Sequence, residues 1–321
     1  MSLLAIKFLV TGIVISVAML GGYCCQRQDW LRESAGEWIM TFIAVFGYPL
    51  VGFLTIWGTP LRGPDALLPL LAVAHTVLVT LCSLGLARWV TADRAERGLF
   101  GIAGGLGNNG FTMGAFVVYL LYGESAMGLA NIYFVLFSPM VVLLTYPIAR
   151  HYASENPTDS IATLIWRSLI DWRSLGLPVS LVAIGLSLAG VPRPGLVLDW
   201  RLIDIMVYIL TPLAFFGIGL RLHLSKVRPL WRVLAWLAGV RFLLGTVMAL
   251  LLGWLTWLTP WPFHGLRWNL FIIEGFVPTA VTMVAVANMF GLRPREASAL
   301  FVVNTLMYLV LVLPVVWWVF G

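Results

Sequence analysis

Apolar residues run through this chain in long continuous stretches, separated by short clusters rich in Arg, Gly and Pro, and no stretch alternates apolar with polar at a period of two. Ten such runs lie near residues 5–24, 36–57, 66–90, 98–121, 126–149, 174–191, 203–221, 230–257, 269–290 and 297–320. A helix needs ~20 apolar residues to cross the bilayer core, whereas a barrel strand needs ~10 with one polar face. Each run therefore predicts a transmembrane helix. The expected fold class is all-α, a polytopic membrane protein with ten spans.

Two runs are interrupted by polar sequence. Gly107-Asn108-Asn109-Gly110-Phe111-Thr112-Met113 divides the fourth, and Glu274-Gly275-Phe276-Val277-Pro278-Thr279-Ala280-Val281-Thr282-Met283 divides the ninth. Backbone leaves the helical ladder at membrane depth only where protein or a water-filled cavity satisfies it. Breaks are expected at Gly107, Gly110 and Pro278. Paired broken spans point to a solute site near the bilayer midplane, so transport is the expected activity.

The halves also correspond. Thr112-Met113 aligns with Thr282-Met283 at an offset of 170, and Gly123-Glu124-Ser125-Ala126 lies near Arg295-Glu296-Ala297-Ser298 at about 172. Tyr48-Pro49 in the second span likewise matches Thr211-Pro212 in the seventh. The offset covers five helices, an odd number, so the second copy enters the membrane from the opposite side. The expected organisation is a 5+5 inverted repeat, residues 1–160 and 161–321.

Composition removes the soluble alternatives. Hydrophobic residues make up 60% of 321 positions, charged residues 11%, and mean hydropathy is +0.95. That leaves too little polar surface for a water-soluble protein and no room for a separate soluble domain. The net charge of +6 follows from the distribution of basic residues between alternate loops. One side holds Arg27, Arg32, Arg88, Arg94, Arg97, Arg150, Arg167, Arg173, Arg221, Lys226, Arg228, Arg232, Arg293 and Arg295; the other holds Arg62, Arg193, Arg201 and Arg267. By the positive-inside rule this fourteen-to-four bias supports ten spans with both termini on the non-cytoplasmic side of a cell (inner) membrane. Trp residues such as Trp30, Trp89, Trp200 and Trp231 fall near span ends, as interfacial anchors do. No basic stripe interleaved with exposed aromatics marks a nucleic-acid partner. The N-terminal run lacks a basic leader and a small-residue cleavage site, and reads as the first span.

Candidate chemistry concentrates at the interruptions. Asn108 and Asn109 each bring a carbonyl acceptor and an amide donor, fit to hold a carboxylate or to meet a cation. Freed half-helix N-termini beside them favour an anion. The alternative is that both Asn bond only backbone across helices. An ionised carboxylate at mid-bilayer costs ~3 kcal/mol or more, so Glu274 is expected to be protonated, paired or facing water, and to exchange a proton, or ligate Na⁺, as solute moves. On an unbroken ninth helix, residues 274, 278, 281, 285 and 288 would share a stripe, bringing Glu274, Pro278 and Asn288 to one face. The expected substrate-binding set is Asn108, Asn109, Thr112, Pro278, Thr282 and Asn288. Arg241 in span eight is expected to join Glu274 in ion coupling, as its ion-pair partner or as a substrate clamp. Asn131 and Asn304 read as hydrogen-bonding supports, and His75 as a packing residue. The cysteines (Cys24, Cys25, Cys82) and the scattered histidines form no metal or catalytic cluster. No catalytic residue, metal or cofactor is expected.

These segments resemble a known family. Gly21-Gly22-Tyr23, Thr211-Pro212-Leu213-Ala214-Phe215-Phe216-Gly217-Ile218-Gly219-Leu220, the Gly-Asn-Asn-Gly of span four, and Glu274 to Pro278 followed by Glu296-Ala297-Ser298 look like the auxin efflux carriers, whose fold is distantly similar to the bile-acid sodium symporters. The likeness runs through the chain in order. It implies an elevator-type secondary carrier in which spans 1, 2, 6 and 7 form a scaffold, often dimeric, spans 3–5 and 8–10 form a moving transport domain, and spans 4 and 9 break and cross at the substrate site. The implied substrate is a small organic anion, carried with H⁺, with Na⁺, or as an electrogenic uniport. One position departs from the pattern: Ala115 stands where the family has a proline. That departure keeps open a receptor-like or structural protein on the same fold.

Overall fold

The computed structural model describes residues 3–153, 160, 162, 163, 166, 175–222 and 230–321. Arg167, Arg173, Lys226 and Arg228 of the charge distribution, His223, and residue 161, where the second repeat is expected to begin, lie outside the described residues. Among those described, the secondary structure is helical apart from one isolated pair of bridged residues. In chain order the main helices are α1 (Leu3–Arg27), α2 (Ser34–Trp57), α3 (Gly63–Val90), α4 (Arg94–Gly105), α5 (Gly114–Tyr122) and α6 (Glu124–Tyr152). They continue as α7 (Gly176–Leu188), α8 (Leu202–Gly219), α9 (Trp231–Leu258), α10 (Leu266–Gly275), α11 (Val281–Phe290) and α12 (Pro294–Phe320).

Seven of these, α1, α2, α3, α6, α8, α9 and α12, are long and apolar enough to cross a membrane; α7 and α11 are shorter apolar helices. Their outward faces carry Val17, Leu143, Leu243 and Val310 fully or largely exposed, a surface that only lipid or another apolar body would cover. Trp30, Trp200, Trp231 and Trp318 stand exposed near helix ends.

Local chemistry explains the ends. Asp93 caps α4 by accepting from the Glu96 amide at 2.8 Å. Gly123, at φ +81°, turns α5 directly into α6 through a conformation that side chains disfavour. Among the described residues four helices contain a π turn, and in three of them it runs up to a proline: Ile43–Gly47 before Pro49, Val141–Thr145 before Pro147 and Tyr308–Val312 before Pro314. The missing N–H and the ring's clash with the preceding turn are absorbed by the wider ring of bonds. The fourth, Gly239–Leu244 in α9, has no proline behind it and contains Arg241.

Small residues set the packing. Gly22 of α1 sits on the backbone of Phe216 to Leu220 in α8, and Gly219 of α8 on Met19, leaving no room for a side chain at either. Helix α2 packs on α7 and α8, and α3 along α4. Gly245 and Ala249 of α9 meet Gly275 of α10 just as closely.

The loops pair in two sets. Arg293 reaches Asp93 at 2.6 Å, Arg232 donates to the Trp89 carbonyl at 2.8 Å, and Arg94 to that of His151 at 2.5 Å. The second set joins Arg267 to Asp65 at 2.6 Å, and pairs Arg193 with Glu124.

Candidate functional site

The site begins where α4 stops. Gly104 and Gly105 lie against Ser83 and Thr80 of α3 with no space for a Cβ. The Leu106 amide makes the last intrahelical bond, to Ile102 at 2.9 Å, and from there to Met113 the chain is not helical. Helix α10 likewise ends at Gly275, and α11 begins at Val281.

The two interruptions meet. Gly107 and Thr279 form an antiparallel bridge; Asn108 donates to the Pro278 carbonyl at 2.7 Å, and Ala280 to that of Leu106 at 2.8 Å. Backbone groups freed from one helix are thus satisfied by the other, as burial in an apolar interior requires. A Cβ on Gly107 would lie 2.5 Å from Arg241 Nη2 and 2.6 Å from Asn109 Oδ1, so only glycine fits.

Glu274 is fully buried on the last turn of α10. Asn109 Nδ2 donates to its carboxylate at 3.0 Å and to its main-chain carbonyl at 2.7 Å. The carboxyl group lies over Gly114, the first residue of α5, so closely that a Cβ there would sit 2.6 Å from its carbon. It therefore occupies the positive end of that half-helix. The first amides of α5 are also met by their own loop: Gly114 donates to Asn108 O at 3.0 Å and Ala115 to Asn109 O at 3.1 Å. A proline at 115 would remove that second bond.

Arg241, 1% exposed, holds the opposite pole. Its Nε and Nη2 donate to Val277 O at 2.9 and 2.7 Å, and Nη1 to Gly104 O at 3.0 Å and Gly105 O at 3.4 Å. These are carbonyls left over at the C-terminal end of α4 and just beyond that of α10, the negative ends of both half-helices. Asn304 completes the frame by accepting from the Thr279 amide at 2.8 Å.

Three expectations are corrected. Arg241 and Glu274 form no ion pair; the guanidinium is spent on backbone carbonyls and the carboxylate on Asn109. The stripe from Glu274 to Asn288 does not exist, because the chain leaves the helix between them. Asn288 is exposed near the far end of α11, bonded to its own Val284 carbonyl at 2.9 Å, and takes no part in the crossing.

The remaining candidates are gathered there. Thr112 donates its hydroxyl to Asn108 Oδ1, Pro278 supplies a bridging carbonyl, and Gly110 faces the Phe134 ring. Thr282 stands half-buried on the first turn of α11. Asn108 Nδ2, Thr279 Oγ1, Asn304 Nδ2 and Glu274 Oε1 are buried without hydrogen-bond partners. His75 Nε2 bonds the Gly245 carbonyl at 2.9 Å, and Asn131 bonds Thr55 Oγ1 at 2.9 Å, steadying α6 on α2 rather than the crossing. Sequence reasoning missed Gly114, whose only signal is its i, i+4 spacing from Gly110, and the Gly104-Gly105 doublet at the end of an apolar run.

Two open recesses approach this centre. One is lined by Thr76, Asn109, Tyr133, Phe134 and Phe137. The other lies beside the start of α11 between Val281, Val284, Ser298, Met40 and Arg221.

No family model matches the chain. It is 23% identical over 320 residues, covering 93% of this chain and 92% of the relative, to a protein of Rhizobium meliloti (strain 1021) named "Putative malonate transporter". With the apolar helices, this similarity supports a multi-pass membrane protein of transporter type and points away from an enzyme.

Proposed function

We propose that the chain is a secondary carrier for a small organic anion, with short carboxylates of the malonate type as its substrate class. The reading counts ten spans as a 5+5 inverted repeat, the fourth formed by α4 and α5 and the ninth by α10 and α11. Its topology draws support from the loop contacts, which pair only loops that alternate spans would leave on one side. It puts both termini outside an inner membrane. The helices α1, α2, α7 and α8, packed on one another, would be the scaffold and dimer surface of an elevator, with the rest moving, as in the auxin efflux carriers the sequence resembles.

The reciprocal crossing of two interrupted helices carries this proposal. It turns two helix N-termini toward the centre, and such ends favour anions. The start of α5 is already filled by Glu274 and loop carbonyls. The start of α11 has no side-chain cap and opens on a recess that includes Arg221 and Ser298. A substrate carboxylate seated there would meet the Val281 and Thr282 amides and the Thr282 hydroxyl, with Asn108 Nδ2 as a further donor. Glu274, buried and tied to Asn109, is the group that would take up and release a proton as the domain moves.

Reconstitution tests this. Labelled malonate should accumulate in liposomes holding the purified protein, and an imposed pH gradient should drive it. Glu274→Gln should remove the pH dependence while malonate still raises the melting temperature. Ligand-induced stabilisation of the wild type with no flux would identify a receptor and reject the carrier.

A further inference from the structure

Taking the carrier reading as its basis, we infer that Arg241 is a tethered cation standing where a coupling sodium ion would bind, so that this protein works without Na⁺. In discontinuous membrane helices, unwound carbonyls and half-helix C-termini are the groups that coordinate such an ion. Here carbonyls of both interrupted helices, Gly104 and Gly105 from one and Val277 from the other, converge on a single positive group, the guanidinium. Permanently charged, with five fixed donors and no acceptor, it occupies the acceptors an alkali ion would need.

Its surroundings treat it as a bound ion rather than as half of a salt bridge. Glu274, the buried acid of the crossing, is held by Asn109 and Gly114 and forms no ion pair with it. The positive charge is therefore balanced by carbonyl dipoles and two helix ends. The side chain also arrives from α9, a third helix that does not cross. The π turn that presents it, Gly239–Leu244, has none of the prolines that account for the other three π turns. Single π turns are recurrent at functional sites, where they re-aim a side chain.

Thermal unfolding of the detergent-purified full chain in NaCl, KCl and choline chloride of equal ionic strength tests the assignment. Wild type should melt at one temperature in all three salts. Arg241→Ala, with the carbonyls released, should melt lower and gain a Na⁺-specific upward shift of several degrees. Arg241→Lys, which keeps a cation, should show no such selectivity. A structural arginine alone would give no selective rescue. Na⁺-specific stabilisation of wild type, or a folded Arg241→Ala indifferent to Na⁺, overturns the inference. If Arg241→Ala does not fold, wild type still decides: uptake unchanged when choline replaces Na⁺ supports the tethered cation, and Na⁺-dependent uptake ends it. The melting arm needs no substrate, so a failed malonate assay would reject the carrier without touching the cation result.

Discussion

The two interruptions at the crossing face the same problem and solve it differently. Apart from the bridge the two share, the longer one, residues 106–113, is closed on itself: its carbonyls receive the first amides of α5, Asn108 holds Thr112, and Glu274 covers the remaining positive end. The shorter, residues 276–280, leans on neighbours, taking Arg241 at Val277 and Asn304 at Thr279, and leaves the start of α11 without a cap. A polar break in an apolar interior can thus be made inert or made receptive by what is placed at its ends. Under the proposed function the first serves as support and the second as the receiving side.

The largest effect should come from Arg241→Ala, which strands three carbonyls on both sides of the crossing. At 1–3 kcal/mol per orphaned buried group, a loss of about 3 kcal/mol or more is expected, read by thermal unfolding, and it would erase the contrast by loosening both breaks. Gly114→Val comes next, because its side chain would enter the Glu274 carboxyl; overpacking of this kind costs about 1–3 kcal/mol and should abolish pH-dependent uptake.

The paired asparagines sharpen the contrast. Asn109→Ala removes both bonds to Glu274 and should lower stability by about 1–3 kcal/mol. Asn108→Ala, whose side-chain nitrogen has no partner in the protein, should instead raise the half-saturating malonate concentration about tenfold with a smaller change in melting. Equal effects on stability and affinity for both would show that the breaks are not divided in this way. Asn288→Ala, exposed and outside the crossing, should stay within about 0.5 kcal/mol and leave uptake unchanged.

Another small effect lies outside the crossing, at the Asp93–Arg293 pair. The Arg293 guanidinium, helped by the Glu96 amide, holds the Asp93 carboxyl below the usual carboxylate range. A depressed value means the stabilisation is present above about pH 4 and is lost as pH falls through the lower folded value. Since both side chains are more than a third exposed, Asp93→Asn should cost under ~1 kcal/mol at neutral pH and less in high salt.

What the sequence disclosed follows from what leaves a trace in residue identity. Apolar runs, the Gly-Asn-Asn-Gly segment and a lone Glu are visible because each departs from the surrounding composition, and the segments they mark meet in the fold. Asn288 falls outside the crossing because a stripe assumes an unbroken 3.6-residue period, and a break resets the phase. Residue identity suggests pairing Arg241 with Glu274 because charge is legible in a sequence, whereas orphaned carbonyls are not: every residue has one. Gly114 shows the same limit, since the space above a glycine is fixed by a distant chain.

Each interruption is the other's hydrogen-bond partner through Gly107 and Thr279. Sliding either rod by itself would expose amides and carbonyls to hydrocarbon at several kcal/mol apiece. In the carrier proposed above, displacement across the bilayer would therefore carry all four half-helices as one rigid knot.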